Sequence, residues 1–151
     1  MSSPIQFFSE DTEFVLKSKT VIRRWITGVI RDNNRRPWYL NFIFCSDEYL
    51  LELNRTYLKH DTFTDILTFP YDDDPELVSG DIFISVERVH ENAKKFGQNI
   101  EQEMCRVMVH GVLHLIGFDD HGKAKRMKMR EMEEKYLISY LPTIEGEKVR
   151  K

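Results

Sequence analysis

Residues 109–121 read VHGVLHLIGFDDH and combine an apolar helical pattern with residues that commonly bind metal ions. In a helix that continues to Gly117, His110 and His114 lie ~40° apart around the axis and ~6 Å apart along it. Two imidazoles placed in this way can hold one ion. Gly117 can adopt the left-handed conformation that ends a helix, so the chain beyond it can turn back towards the histidines.

Three further residues of metal-ligand type follow the glycine, namely Asp119, Asp120 and His121. Three protein ligands and one water are typical of a catalytic zinc site, whereas structural sites use four protein ligands. The pattern therefore predicts a metal centre held by His110, His114 and one residue of this loop. Neutral imidazole suits Zn²⁺, although the spacing alone leaves Ni²⁺, Fe²⁺ and Mn²⁺ open.

The helix that carries the two histidines is predicted to begin after Asn99, with Gln102 at the third position of a capping box. At 100° per residue, His110 and His114 point ~160° away from the centre of an apolar arc. Other elements must therefore cover both sides if this helix is central. The arc contains Met104, Cys105, Met108, Val112, Leu115 and Ile116.

One feature of this motif argues against a zinc peptidase. Metalloproteases of the H-E-x-x-H type carry a glutamate directly after the first histidine as general base. Here that position is Gly111, which has no side chain to accept a proton. The remaining histidines, His60 and His90, are expected to be surface or packing residues, and Cys105 a buried thiol.

Length and composition predict one domain, residues 1–151, with 41% hydrophobic and 31% charged residues. Two cysteines do not make a disulfide framework, and a reducing compartment is the default. The first thirty residues lack the features of a secretory signal, and no stretch is apolar enough to span a membrane. We therefore expect a cytoplasmic protein.

The formal net charge of −3 argues against a protein that coats nucleic acid without selectivity, since such binding needs many cations. A nuclease with a local basic face remains compatible with it. A cluster of cations follows the predicted metal loop, although solvated helix faces are the ordinary explanation for such clusters. It contains Lys123, Lys125, Arg126, Lys128 and Arg130.

Helices and strands alternate irregularly along the rest of the chain. Helices are predicted over 12–31, from Ser46 or Asp47 to Tyr57, over 86–96 and over 123–139. The last of these carries Met127, Met129, Met132, Tyr136, Leu137 and Ile138 as packing groups. Strands are predicted near residue 5 and over 39–45, 63–69 and 80–85.

With these residues in view, the chain resembles the YbeY family of bacterial metal-dependent endoribonucleases. The family motif H-G-x-L-H-L-x-G-[YF]-D-H matches from His110 to Phe118 without a gap. Two further blocks occur in the same order: residues 53–57 and 64–70 resemble L-N-x-x-Y-R and T-D-V-L-S-F-P, and residues 80–85 resemble G-D-I-x-I-S. The resemblance thus covers nearly the whole chain.

The sequence departs from the family pattern in two places. Ungapped counting puts the third ligand at Asp120, whereas His121 matches the family histidine if one residue is inserted, so both stay open. The family's arginine after the tyrosine falls on Leu58. The adjacent Lys59 could offer a point charge to a phosphate but not a two-pronged guanidinium contact, and a solvated loop lysine is an equal alternative.

The resemblance implies an α+β fold: a four-stranded mixed sheet with packed helices, the metal site lying on the central helix and the following loop. It implies single-strand-specific RNA cleavage in 3′-end maturation of the small-subunit (16S) ribosomal RNA and in ribosome quality control. Zinc or another divalent ion, single-stranded RNA, and the ribosome or a ribosomal protein are the implied partners. The main alternative is a non-catalytic ribosome-assembly factor with a structural metal, and a zinc peptidase is a weaker one.

Overall fold

A computed structural model describes residues 3–71 and 74–149, with side chains up to residue 139, and within these it contains four strands and five helices. In chain order they are β1 (Ile5–Ser9), α1 (Lys19–Asp32), β2 (Arg36–Cys45), α2 (Asp47–Tyr57), β3 (Ile66–Pro70), β4 (Leu77–Ser85), α3 (Val86–Lys95), α4 (Ile100–Ile116) and α5 (Lys123–Val149). In the part of the chain described, no helix is sufficiently long and apolar to span a bilayer.

The four strands form one mixed sheet in the order β1-β2-β4-β3. Strands β1, β2 and β4 run parallel, and β3 runs antiparallel to β4 at the edge. One rung of the sheet joins Phe7, Phe42, Ile82 and Thr68. The predicted α+β fold with a four-stranded mixed sheet is therefore confirmed.

Each face of the sheet packs against helices. The larger core lies between one face and helices α1, α4 and α5, and includes Phe42, Phe44 and Ile82 from the sheet. On the opposite face, a smaller cluster joins Leu50 of α2 to Leu67 of β3. Parallel strands need helices to cross between them, which explains why the sheet is covered in this way.

Helix α4 is the centre of the larger core. It contacts α1, α3, α5, β3 and β4, so that elements cover both its apolar side and its histidine side. The side chain of Asn99 accepts a hydrogen bond from the Gln102 backbone N–H, which confirms the predicted N-terminal cap. At the other end Gly117 has φ 122°, and the N–H of Phe118 donates to the Leu113 carbonyl, which ends the helix.

The helix expected over 12–31 is shorter than predicted and begins only at Lys19. Two polar residues before it, of the types that commonly cap helices, make other contacts. The Ser9 hydroxyl donates to the Phe14 carbonyl, and the Asp11 carboxylate accepts hydrogen bonds from the backbone and hydroxyl of Ser46. Asp11 therefore ties the loop after β1 to the start of α2 instead of capping α1.

Three predicted strand boundaries were also wrong. Strand β2 begins at Arg36 rather than residue 39, and β4 begins at Leu77 rather than residue 80, because these two residues pair with each other. Strand β3 begins at Ile66 rather than residue 63 and ends at Pro70.

The pairing of β2 with β4 is interrupted between Pro37 and Leu40. Within this irregularity Tyr39 has φ 48°, in the left-handed region. Such a conformation costs a bulky residue about 1–2 kcal/mol. At this irregularity two consecutive aromatic side chains face solvent: Trp38 is 52% exposed and Tyr39 is 63% exposed.

Not all of the apolar residues of α5 pack as predicted. Met129, Tyr136 and Leu137 are buried, and Met132 is partly buried. Met127 and Ile138 are instead more than half exposed, so the prediction was wrong for these two. The predicted burial of Cys105 is confirmed; Cys45 is buried as well, and neither cysteine forms a disulfide.

Candidate metal centre

His110 and His114 lie on successive turns at the end of α4 and direct their rings towards each other. Their Nε2 atoms are 3.1 Å apart. Both side chains are mostly buried, with 22% and 26% of their surface exposed. The four-residue spacing therefore brings two imidazole nitrogens together, as expected from helix geometry.

The turn after α4 brings Asp120 to the same point. Its Oδ2 atom lies 3.7 Å from Nε2 of His110 and 3.7 Å from Nε2 of His114. His121 lies elsewhere: its side chain is 90% exposed, and its Nδ1 is 3.8 Å from Asp119 Oδ1. The structure thus brings Asp120, and not His121, to the histidine pair. Which residue ligates a metal stays a prediction.

These three side chains fit a divalent cation. Bonds of 2.0–2.2 Å to a tetrahedral zinc separate neighbouring ligand atoms by about 3.3–3.6 Å. The observed separations of 3.1 and 3.7 Å lie close to that range. Among the described residues, His110, His114 and Asp120 are the side chains whose ligand atoms lie close enough together to bind one ion. The group contains no fourth histidine, cysteine or carboxylate. A coordination position would remain for water or substrate.

A carboxylate that sequence reasoning missed supports the first histidine. Oε2 of Glu133, on α5, lies 2.6 Å from Nδ1 of His110. This contact holds the imidazole with its Nδ1–H towards Glu133 and its Nε2 towards His114 and Asp120. The sequence did contain a signal that Glu133 points inwards. It lies four residues after Met129 and three before Tyr136, and therefore on the buried face of α5.

Burial and neighbouring charges shift the pKa values of the two histidines in opposite directions. Burial alone lowers the pKa of His110, but the hydrogen bond and charge of Glu133, with Asp120 and Asp65, raise it overall. The pKa of His114 is lowered by burial and by the neighbouring His110. The pair therefore favours a neutral His114 that can act as a ligand.

Two further carboxyl groups interact with Glu133. Burial raises the pKa values of Asp65 and Glu103, and each of these carboxyls is affected by the charge of Glu133. The Arg106 guanidinium lies 3.8 Å from Glu103 and 3.4 Å from Glu133, and so balances part of this negative charge. Asp65 belongs to the sequence block 64–70, which was recognised for its family pattern and not for this location.

Gly111 faces the sheet, away from the ion-binding atoms. A Cβ atom at this position would lie 2.8 Å from Ile66 Cδ1 and 2.9 Å from Ile82 Cγ2. The helix can approach β3 and β4 this closely only because residue 111 has no side chain. A glutamate here could not reach a metal-bound substrate, so the geometry argues against the peptidase alternative more strongly than the sequence did.

Leu58 and Lys59 follow α2 in a segment that is held by the buried residue Asn54. The Asn54 side chain donates through Nδ2 to the Thr62 carbonyl, and the backbone carbonyl of Asn54 accepts from the backbone N–H of His60. Lys59 itself is exposed and has φ 56°, a strained conformation for a lysine. His60 and His90 are both exposed, as expected.

Comparison with known proteins identifies close similarities over almost the full chain. The family model described as Endoribonuclease YbeY matches residues 5–141. Proteins named Endoribonuclease YbeY from Amoebophilus asiaticus and Christiangramia forsetii are 43% and 44% identical to it; the alignments cover 89% and 90% of this chain and 92% and 94% of theirs.

A solved structure also shares the fold. The solution structure of TM1509 from Thermotoga maritima superposes with a TM-score of 0.66 at 25% sequence identity. The match covers 97% of this chain and 95% of that protein. The arrangement of sheet and helices described above is therefore that of an experimentally determined fold.

Proposed function

Because this chain belongs to the YbeY family of endoribonucleases, we propose that it is a metal-dependent enzyme that cleaves single-stranded RNA. We further propose that residues 1–151 act as one domain, with zinc as the ion and His110, His114 and Asp120 as its ligands. The convergence of these three side chains, with one position left for water or substrate, is the observation that supports the proposal most directly.

The chemistry of the donor atoms favours zinc. Two imidazole nitrogens and one carboxylate oxygen are a ligand set that catalytic zinc sites use, whereas magnesium and calcium prefer oxygen ligands. A divalent ion bound there would supply a Lewis acid for the phosphodiester. Glu133 orients His110 and holds the proton on its Nδ1 atom, so that the lone pair of Nε2 remains available.

Cations on α5 would bring the RNA backbone to this centre. Lys123, Arg126, Lys128 and Arg130 are exposed on the first turns after the loop that carries Asp120. Lys125 is exposed as well, but lies 3.2 Å from Asp119. Such a local group of cations can bind phosphates although the whole chain has a net charge of −3. Lys59 is a further candidate for a phosphate contact.

Single-strand specificity follows from the requirement that the ion reach a phosphodiester in a partly buried site. An unpaired backbone can bend and separate its bases, whereas a duplex holds its phosphates on a rigid surface. We propose 16S ribosomal RNA 3′-end maturation and ribosome quality control, in the cytoplasm, as the setting. The ribosome or a ribosomal protein would be the partner.

The test of this function is RNA cleavage that depends on the metal. Purified protein should cut a single-stranded oligonucleotide after zinc is added, and chelation or His114→Ala should abolish the cut. His90→Ala, which removes an exposed histidine of α3, is the matched control and should retain activity. RNA cleavage that persists after chelation and in His114→Ala would contradict the proposal.

The same assay separates the enzyme from a ribosome-assembly factor with a structural metal. Leu58, where the family has an arginine, gives that alternative its support. A purely structural metal predicts that zinc stabilises the fold while no RNA is cut. The cellular role requires one more experiment: cells that carry only His114→Ala should accumulate small-subunit ribosomal RNA with an extended 3′ end.

A further inference from the structure

A groove lies towards the opposite end of the sheet from the histidines. It has a volume of about 700 Å³, and its lining includes Arg31, Arg36, Trp38, Tyr39, Gln6 and Asn41. Gly111, next to His110, packs on Ile82 of β4 and on Ile66, which pairs with Ile84 of the same strand, whereas the groove reaches Leu77 at the start of β4. At ~3.3 Å per residue, Leu77 lies ~17 Å from Ile82 and ~23 Å from Ile84 along the strand.

The shape of the groove comes from the irregularity in β2. Trp38 and Tyr39 are consecutive, so in a regular strand they would point to opposite faces of the sheet. The left-handed conformation of Tyr39 instead leaves both exposed, with ring centroids 5.0 Å apart and an angle of 84° between the rings. The chain thus holds a strained conformation at a place where two aromatic side chains are each more than half exposed.

The charges of the groove select for an anionic ligand. Two guanidinium groups, those of Arg31 and Arg36, line it, and among the described residues no carboxylate does. The Glu76 carboxylate lies 3.8 Å from the Arg36 guanidinium, but both side chains are about three-quarters exposed. Such an exposed ion pair is weak, so a phosphate could readily replace the carboxylate. The amide nitrogens of Gln6 and Asn41, which also line the groove, donate within the protein to the Ser3 carbonyl and to the side chains of Tyr71 and Asp81. The two rings and the two guanidinium groups therefore provide the main contacts for a ligand.

We propose that this groove is a second binding site for single-stranded RNA, with a base stacked on Trp38 and phosphates beside Arg31 and Arg36. Aromatic rings next to cations are the combination that binds unpaired nucleic acid without strong sequence preference. This proposal takes its ligand from the proposed function. It adds that one RNA strand contacts the protein at both ends of the sheet.

The test measures RNA binding without cleavage. Metal-stripped protein is titrated with a labelled single-stranded oligouridylate of about twelve nucleotides, within the ~4–16 nucleotides of known single-strand sites, at several salt concentrations. Trp38→Ala should weaken binding ~5- to 100-fold because a stacked base is lost, while the salt dependence stays the same. Arg31→Gln should instead reduce the slope of log affinity against log salt by ~0.7.

Two variants serve as matched controls. Phe96→Ala removes an aromatic ring that is 62% exposed directly after α3, outside the groove lining. Arg24→Gln removes an exposed arginine two turns before Arg31 on α1, outside the groove lining. Neither should change affinity or salt slope. Thermal unfolding of each variant shows that the fold is retained.

The outcomes separate this inference from the proposed function. Unchanged RNA affinity in Trp38→Ala, or an equal loss in Phe96→Ala, would overturn the groove as an RNA site even if the protein cleaves RNA. Trp38-dependent binding by a protein that cuts no RNA with zinc would leave the groove intact and reject the enzyme. If the wild-type protein does not bind oligouridylate at all, the groove is ruled out as an RNA site as well.

Discussion

The Nδ1 atom of His110 lies 2.6 Å from Oε2 of Glu133, which joins the end of α4 to the middle of α5. Glu133 is only 7% exposed, so this carboxylate is directed into the protein. Arg106 contacts the same side chain from the preceding turn of α4. The position of the first histidine therefore depends on the packing of two helices that are separated by the Asp120 loop.

The first prediction concerns this contact. Glu133→Gln retains the size of the side chain but removes the charge that orients His110, so zinc affinity should fall ~10- to 100-fold. Competition with a chromophoric chelator measures the change. Glu134→Gln is the matched control, because Glu134 is the next residue, is half exposed and also pairs with Arg106. Equal zinc affinity in wild type and Glu133→Gln would show that the contact is only structural.

The second prediction separates the two candidates for the third ligand. Asp120→Ala should remove one of three donors and abolish stoichiometric zinc binding at micromolar protein. His121→Ala should leave it unchanged, because the His121 side chain is 90% exposed and directed towards Asp119. Elemental analysis after gel filtration gives the stoichiometry. The reverse result, with zinc lost only in His121→Ala, would mean that the loop rearranges around the ion.

The third prediction reverses the usual effect of glycine in a helix. Replacing a helical glycine by alanine normally adds about 1 kcal/mol of stability. At Gly111 the new methyl group would lie less than 3 Å from Ile66 and Ile82, so Gly111→Ala should instead destabilise by about 1–3 kcal/mol. Gly28→Ala in α1, where a Cβ meets nothing within 4 Å, is the control and should stabilise. Urea unfolding of both variants provides the comparison.

The fourth prediction is an alkaline loss of stability. Burial and the hydrogen bond to Asp32 raise the pKa of Tyr136 to about 12, whereas an unfolded tyrosine titrates near 10. Below pH 10 the hydroxyl is protonated in both states and adds no pH dependence. Between pH 10 and 12 the unfolded state loses this proton first, so the free energy of unfolding should fall.

Tyr136→Phe isolates this effect. The Tyr136 hydroxyl donates to Asp32 and accepts from the Asn33 amide, and the variant should lose about 1 kcal/mol at pH 8 because both bonds disappear. Its stability should then decline less steeply than that of wild type above pH 10. The thiol of Cys45, whose pKa burial also raises to about 12, contributes equally to both proteins. Parallel curves would show that Tyr136 is not the source.

Local patterns located the helices and strands but not all of their boundaries, and the four-stranded mixed sheet was implied by the family resemblance. The cap at Asn99 and the end of α4 at Gly117 depend on neighbouring residues and were predicted correctly. The start of α1 was not, because Ser9 and Asp11 form hydrogen bonds with residues five or more positions away. The start of β2 depends on pairing with Leu77, a distant partner that no local pattern in β2 identifies.

In the candidate metal centre, too, features set by neighbouring residues could be predicted and those set by distant residues could not. His110 and His114 could be paired from sequence because one helix turn separates them. Asp120 and His121 could not be distinguished, because a loop has no periodicity from which to infer direction. Glu133 and Asp65 lie more than twenty residues from His110 and approach it only through the packing of α5 and β3 around α4.

Helix α4 holds the histidine pair and also forms the middle of the larger core. Unfolding must therefore separate the two imidazoles, so that cation occupancy and global folding become linked equilibria. A free ion concentration one hundred times its dissociation constant would add about 2.7 kcal/mol to the apparent stability. The melting temperature would then report on metal supply, and starvation for the ion would lower both the activity and the lifetime of the folded chain.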